Sequence, residues 1–127
     1  MTGDELQQCA RERADELPLS SLEHPFGPEW DVFKVQGRVF MLMTAVTGEP
    51  IVTLKAAPAD GEALRAQFSD ISPGYHMNKK HWITLRAGGA LPKDLVAELV
   101  TDSYLLVVAK LQRAPVPEHR ARLTASA

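Results

Sequence analysis

The eight residues VFMLMTAV, positions 39–46, constrain the fold more than any other stretch of this chain. Every position except Thr44 is apolar, so a strand formed here would be apolar on both of its faces. Such a strand is typical of the middle of a sheet, with another layer packed against each side. Gln36-Gly37 comes just before it, and a two-residue connection with glycine second suits a type I′ turn. The sequence therefore predicts a hairpin of Trp30–Val35 with Arg38–Val46.

The other segments predict an α+β fold with an antiparallel sheet. Apolar spacing and turn signals predict a third strand at Ile51–Ala56 and three helices, at Gly3–Leu17, Pro58–Phe68 and Pro92–Gln112. Residues 18–29 contain three prolines and a glycine, which predicts a loop. The predicted element order is α-β-β-β-α-β-β-α, with the helices mainly on one side of the sheet.

The length of 127 residues favours one domain, which we place at residues 1–113. The residues that follow, 114–127, include two prolines and few apolar side chains, so we expect a flexible C-terminal tail. The single cysteine, Cys9, lies on the apolar stripe of the first helix and is expected in the core. No signal peptide is visible and no apolar run approaches the roughly 20 residues of a spanning helix. We therefore expect a cytoplasmic protein, without a membrane partner, that is a monomer.

Charge is distributed unevenly along the chain. The net charge is −2, which does not suggest wholesale binding to nucleic acid or to a membrane. Residues 71–93, however, contain four basic side chains and no acidic one, so the rest of the chain carries −6. The basic segment is therefore local, and it contains residues 72–82.

The segment SPGYHMNKKHW, residues 72–82, is the main candidate for a site. If Asn78-Lys79 forms a two-residue turn, His76 lies opposite His81 and Tyr75 lies opposite Trp82. Adjacent pairs point to opposite faces of a hairpin, so one face would carry two imidazoles and the other two aromatic rings. An irregular loop leading into a single strand is the alternative.

This segment has four candidate roles: nucleic-acid contact, structural packing, metal binding and catalysis. Lysines and an asparagine at a hairpin tip can contact phosphates, whereas cross-strand packing of the aromatic rings would be purely structural. Two facing histidines are too few ligands for zinc, whose sites take three or four ligands from the protein. No nucleophile motif, phosphate-cradling loop or paired-carboxylate motif is present, so we expect no enzyme activity, no metal and no cofactor.

Four segments in order carry a family resemblance: FKVQGRVFML, TLKAAP, PGYHMNKKHWITL and LPKDLVAELVTDSYLLVVAKL. They resemble the MmcQ/YjbR family of small bacterial proteins over roughly Pro25 to Leu111. The resemblance implies an α+β fold similar to secretion-chaperone-like and frataxin-like domains. Members are described as predicted DNA-binding proteins with a double-wing motif, in which the wings are strand hairpins. The resemblance implies no catalytic residue in this chain.

If the double-wing motif applies here, the wings are Trp30–Val46 and Tyr75–Arg86. The residues expected to contact nucleic acid are Lys34, Arg38, His76, Asn78, Lys79, Lys80, His81 and Trp82. Two alternatives remain open: a protein-interaction module that uses the sheet face, and a protein that sequesters a small molecule in a pocket lined by Trp82 and Tyr75. A further alternative is a pocket with a polar floor formed by Lys55, Trp82, Ser103 and Tyr104.

Overall fold

The computed structural model describes residues 1–113, and the predicted tail at 114–127 lies outside the described residues. The elements, in chain order, are α1 (Gly3–Glu16), β1 (Ser20–Glu23), β2 (Trp30–Val35), β3 (Arg38–Thr44), β4 (Ile51–Lys55), α2 (Pro58–Gln67), β5 (Ile71–Pro73), β6 (Trp82–Arg86) and α3 (Lys93–Arg113). They form one antiparallel six-stranded sheet in the order β1-β2-β3-β4-β6-β5. The prediction of an α+β fold is confirmed.

The predicted hairpin forms as β2 and β3. Gln36 and Gly37 have φ values of 49° and 80°, and a type I′ turn requires positive φ at both central residues. Glycine accepts this backbone region without a steric penalty, and the second turn position uses that freedom. β3 lies inside the sheet between β2 and β4, as its apolar composition predicts.

All three helices contribute to a single core on one face of the sheet. α1 and α3 pack against each other and against the central strands, while α2 packs near β5. Cys9 is buried in this core, and burial raises the pKa of its thiol. A thiol that is harder to ionise is less reactive, which fits the predicted structural role.

A β-bulge in β3 determines how α3 meets the sheet. Met41 lies opposite Phe33, and Phe40 is the extra residue, so the side chains of Phe40 and Met41 are both buried in the core. The bulge leaves the Phe40 carbonyl and the Lys55 N–H without strand partners. The Ser103 hydroxyl joins them, accepting from the Lys55 N–H at 2.9 Å and donating to the Phe40 oxygen at 2.6 Å.

The prediction that residues 18–29 form only a loop is wrong, because β1 lies within them. β1 pairs with β2 at the edge of the sheet, with Ser20 opposite Val35. The prolines at positions 18, 25 and 28 all lie outside the strand, so they remove none of its hydrogen bonds. Four residues between prolines are enough for a short edge strand.

Candidate functional site

Residues 74–81, which we call the connecting segment, join β5 to β6 as an irregular connection. The predicted pairing of His76 with His81 and of Tyr75 with Trp82 is therefore wrong. The strand that pairs with β6 is β5, which ends before these residues begin. The alternative of an irregular loop leading into a strand describes the structure better.

A last backbone hydrogen bond joins β5 and β6 at Gly74, where the two strands approach closely. The Gly74 N–H donates to the Trp82 oxygen at 2.9 Å, and a Cβ at position 74 would lie 2.5 Å from the Trp82 Cβ. The next N–H, that of Tyr75, donates instead to the Thr84 hydroxyl at 2.9 Å. The Thr84 hydroxyl thus ties the backbone at the start of the connecting segment to β6.

The connecting segment and Trp30 cover the face of the sheet that carries no helix. The Tyr75 ring stacks on Trp30 with centroids 6.2 Å apart and planes 7° apart, and the His76 ring lies 4.1 Å from Tyr75. On the same face the hydroxyls of Thr53 and Thr84 share a buried hydrogen bond of 2.9 Å. The central strands therefore have a second layer, which is made of a loop and aromatic rings rather than a helix.

This covering counts against the sheet face as a protein-binding surface. Val32 and Leu42 point toward the covered face and are buried. The exposed large apolar side chains of residues 1–113 are Leu19, Leu22, Phe26, Val46 and Leu105, and none belongs to β2, β3, β4 or β6. The apolar patch that a sheet-face interaction requires is absent from these strands.

A recess of about 380 Å³ opens where β4 ends and β6 begins. We call it the Lys55 recess, and its lining residues are Lys55, Asn78, His81, Trp82, Leu106 and Lys110. The Lys55 Nζ lies 5.9 Å from the centre of the Trp82 ring, within the range at which a cation and an aromatic face attract each other. Trp82 is 8% exposed, so it forms a wall of the recess rather than an open platform for stacking.

The environment of the Lys55 recess disfavours the charged form of Lys55. Burial lowers the pKa of Lys55, and the positive charges of Lys110 and Arg38 lower it further. Burial strips water from the ammonium group, and both neighbours repel it. The recess therefore concentrates positive charge that its own lining does not neutralise.

The surroundings of the recess are basic as well. Arg38 follows the adjacent β2–β3 turn, and Lys79 and Lys80 belong to the connecting segment. We call this surface the basic end, made of Arg38, Lys55, Lys79, Lys80 and Lys110. Within residues 1–113 the cations that form ion pairs are Arg11, Arg13, His24, Lys34 and Arg86. None of the five cations of the basic end is among them.

The structure separates the eight residues predicted to contact nucleic acid into two groups. Six belong to the basic end or line the Lys55 recess: Arg38, Asn78, Lys79, Lys80, His81 and Trp82. The other two lie elsewhere, since Lys34 pairs with Glu23 at 3.2 Å and His76 packs against Tyr75. Among the six, the Lys79 ammonium donates to the Gly74 carbonyl at 3.1 Å. Of the two cations predicted for the first tip, Arg38 is the one whose charge reaches the Lys55 recess.

The predicted polar pocket floor is only half present. Lys55 and Trp82 line the recess, but Ser103 is fully buried with its hydroxyl bonded to backbone. The Tyr104 hydroxyl donates to the Pro18 carbonyl at 2.8 Å, at another part of the core. Lys110 lines the recess, and Ser103 and Tyr104 do not. Its spacing from Ser103 was a usable signal, because seven residues are almost two helical turns and place both on one face.

Neither a metal centre nor a membrane span is found in the part of the chain that the structure describes. Residues 1–113 contain no group of three or more His, Cys, Asp or Glu side chains that could hold a metal ion. Within the same residues no helix is long and apolar enough to cross a membrane. Trp82 lines the Lys55 recess and Tyr75 does not, so this recess is not the pocket expected to be lined by both rings.

Relatives of known sequence are found along most of the chain. The protein YbdF of Escherichia coli O157:H7 is 43% identical over 108 residues, which cover 85% of this chain and 88% of YbdF. The protein YjbR of Escherichia coli strain K12 is 38% identical over 90 residues, covering 71% of this chain and 72% of YjbR. Both are uncharacterised proteins, so they supply a family and not an activity.

Solved structures share the fold. A crystal structure of a Deinococcus radiodurans protein with a DUF419 domain has a TM-score of 0.71 and 42% identity, covering 84% of this chain and 78% of that one. A Pseudomonas syringae crystal structure has a TM-score of 0.65 and 28% identity, covering 84% and 98%. The family model for YjbR matches residues 15–106, which is most of the described domain. The chain therefore belongs to the YjbR family.

Proposed function

We propose that this protein is a non-enzymatic DNA-binding protein that contacts phosphates through its basic end. The observation that carries the proposal is the gathering of five cations, none of which forms an ion pair within residues 1–113. They come from the β2–β3 turn, β4, the connecting segment and α3, and the charges of Arg38 and Lys110 are close enough to Lys55 to lower its pKa. Lysine and arginine side chains are the usual partners of nucleic-acid phosphates.

The charge count sets the expected strength of binding. Five phosphate contacts correspond to a slope of about −4 to −5 when log affinity is plotted against log salt concentration for duplex DNA. Binding of this kind depends little on sequence, with dissociation constants on the order of 10⁻⁴ to 10⁻⁶ M at physiological salt. The net charge of −2 opposes contact elsewhere on the surface, which restricts binding to the basic end.

A salt-dependent titration tests the proposal. Fluorescence anisotropy with a short labelled duplex and a single strand of the same sequence gives the affinity at several salt concentrations. The double variant Lys79→Ala/Lys80→Ala should bind more weakly and reduce the salt slope by about 2. The matched control Arg86→Ala/Lys93→Ala removes the same charge at the opposite end of the sheet, where β6 ends and α3 begins.

The control decides between local contact and a general charge effect. We expect the control variant to keep the wild-type salt slope. Equal losses in the two double variants would contradict the basic end as the contact surface. Negligible binding by wild type at low salt would contradict DNA binding itself.

A second candidate function is protein binding in a groove of about 630 Å³ between α2 and α3. Leucines line it, including Leu105, which is 54% exposed, and three carboxylates border it: Asp60, Glu98 and Asp102. Burial raises the pKa of Asp102, and the charges of Glu98 and Asp60 raise it further. A basic amphipathic helix would bury its apolar side against the leucines and offset these carboxylates.

A synthetic amphipathic peptide of leucine and lysine tests this second function. Binding should be weakened by Glu98→Gln/Asp102→Asn and unaffected by Lys79→Ala/Lys80→Ala. Absence of binding, or equal binding by both variants, would contradict it.

A further inference from the structure

The polar groups that line the Lys55 recess are mainly hydrogen-bond donors. The ammonium groups of Lys55 and Lys110 carry three donors each and no acceptor. The Asn78 Oδ1 already accepts the Lys80 N–H at 2.9 Å, so the amide nitrogen of Asn78 is the group that remains for a ligand. A ligand in this recess must therefore supply acceptors.

The charge of the recess indicates an anion. Its six lining residues include two lysines and no aspartate or glutamate, and the charge of Arg38 reaches it from the β2–β3 turn. Lys55 is half-buried next to the cation Lys110, which destabilises the empty protein, and such uncompensated charge is typical of binding sites. An anion in the recess would neutralise the lysines and supply the missing acceptors.

The size and walls of the recess narrow the class of anion. Its volume of about 380 Å³ is at the lower end of the range for small-molecule sites. The Trp82 ring and Leu106 give it an apolar side next to the lysines, which suits an organic group attached to the anion. A phosphate monoester has a charge of about −1.5 to −2 at pH 7 and three acceptor oxygens, whereas a bridging phosphodiester has a single charge.

We propose that the Lys55 recess binds a phosphate monoester, supplied either by the end of a nucleic-acid strand or by a phosphorylated small molecule. The nucleic-acid source rests on the proposed function, since it places a chain end beside the basic end. The bridging phosphates of the same strand then contact Lys79 and Lys80 outside the recess. This assigns recognition of a terminal group to a surface that otherwise binds without regard to sequence.

Oligonucleotides that differ only at their ends test the inference. Single strands of one sequence with a 5′-phosphate, a 3′-phosphate or hydroxyls at both ends are titrated against wild type. One of the phosphorylated strands should bind about tenfold more tightly than the hydroxyl strand. Lys55→Met and Lys110→Met should each remove this difference, while Lys79→Ala/Lys80→Ala weakens all strands and preserves it.

A second arm uses inorganic phosphate and adenosine monophosphate, followed by Trp82 and backbone amide signals in NMR spectra. Lys110→Met changes an exposed helical side chain, so it keeps the test valid if Lys55→Met folds poorly. Phosphate or the nucleotide binding at the recess without any oligonucleotide binding would support the inference and contradict the proposed function. Equal affinity for all strands, together with no response to phosphate or nucleotide, would overturn the inference and leave the proposed function standing.

Discussion

At the scale of single residues, polar groups in the interior are explained by backbone geometry. Ser103 is fully buried because a bulge at Phe40 leaves a carbonyl and the Lys55 N–H unpaired. Periodicity places Ser103 within a helix that covers the sheet, but it does not reveal the bulge. The role of the serine depends on an irregularity in β3, 63 residues earlier in the chain.

Ser103→Ala should lower the free energy of unfolding by about 1 to 3 kcal/mol. The substitution leaves the Phe40 carbonyl and the Lys55 N–H buried without partners, and each unpaired group has a desolvation cost. Thr101→Ala is the matched control, because its hydroxyl bonds to the Ala97 carbonyl within the same helix. Denaturant unfolding measures the free energy of unfolding of both variants. Equal decreases in the two variants would contradict the bridging role of Ser103.

Lys55→Met should raise the free energy of unfolding at pH 7 by less than about 1 kcal/mol, because solvent screens much of the repulsion on this half-exposed charge. The pKa of Lys55 is lower in the folded state than its ordinary value of 10.5, so the charged lysine destabilises the fold below that folded pKa. The advantage of methionine should shrink as the pH rises through the folded pKa toward 10.5. The methionine sulfur retains a contact with the Trp82 ring.

Thermal unfolding from pH 7 to pH 10 measures this difference. Lys110→Met is the control, and as a change of an exposed residue it should alter stability by less than about 0.5 kcal/mol. A loss of stability in Lys55→Met at pH 7 would show that the cation–aromatic contact outweighs repulsion and burial.

At the scale of elements, regular periodicity was sufficient for most of the fold and insufficient for two segments. The three helices and the strands β2, β3 and β4 follow from apolar spacing and turn residues, with bounds that agree to within two residues. β1 is too short and too polar to be recognised without its partner. The conformation of the connecting segment depends on tertiary contacts, because the Tyr75 N–H bonds to the Thr84 hydroxyl and the Tyr75 ring stacks on Trp30. Local sequence patterns do not reveal such contacts.

Tyr75→Ala should destabilise the protein by about 1 to 2 kcal/mol and speed amide exchange in the connecting segment. The reason is the loss of stacking on Trp30 and of cover over the Thr53–Thr84 pair. Tyr75→Phe keeps the ring and should stay within about 0.5 kcal/mol of wild type. Equal losses in both variants would assign the effect to the phenol hydroxyl and contradict the covering role of the ring.

At the scale of the whole molecule, the fold turns a weakly acidic chain into one with a distinct basic end. The net charge of −2 conceals this surface, and the local excess of bases in residues 71–93 predicts only part of it. Arg86 and Lys93 belong to that excess but lie at the other end of the sheet, whereas Lys110 joins the basic end from α3. Only the strand order and the register of β4 with β6 reveal which charges meet.

The most direct test of the basic end is an NMR titration of ¹⁵N-labelled protein with a short DNA duplex at low salt. We expect the amide shift changes to concentrate at Arg38, at Lys55, in residues 78–82 and in residues 106–110. They should fade as salt is added, because released counterions drive this kind of binding. Shift changes confined to β1 or to the α2–α3 groove, or no change at all, would contradict the account.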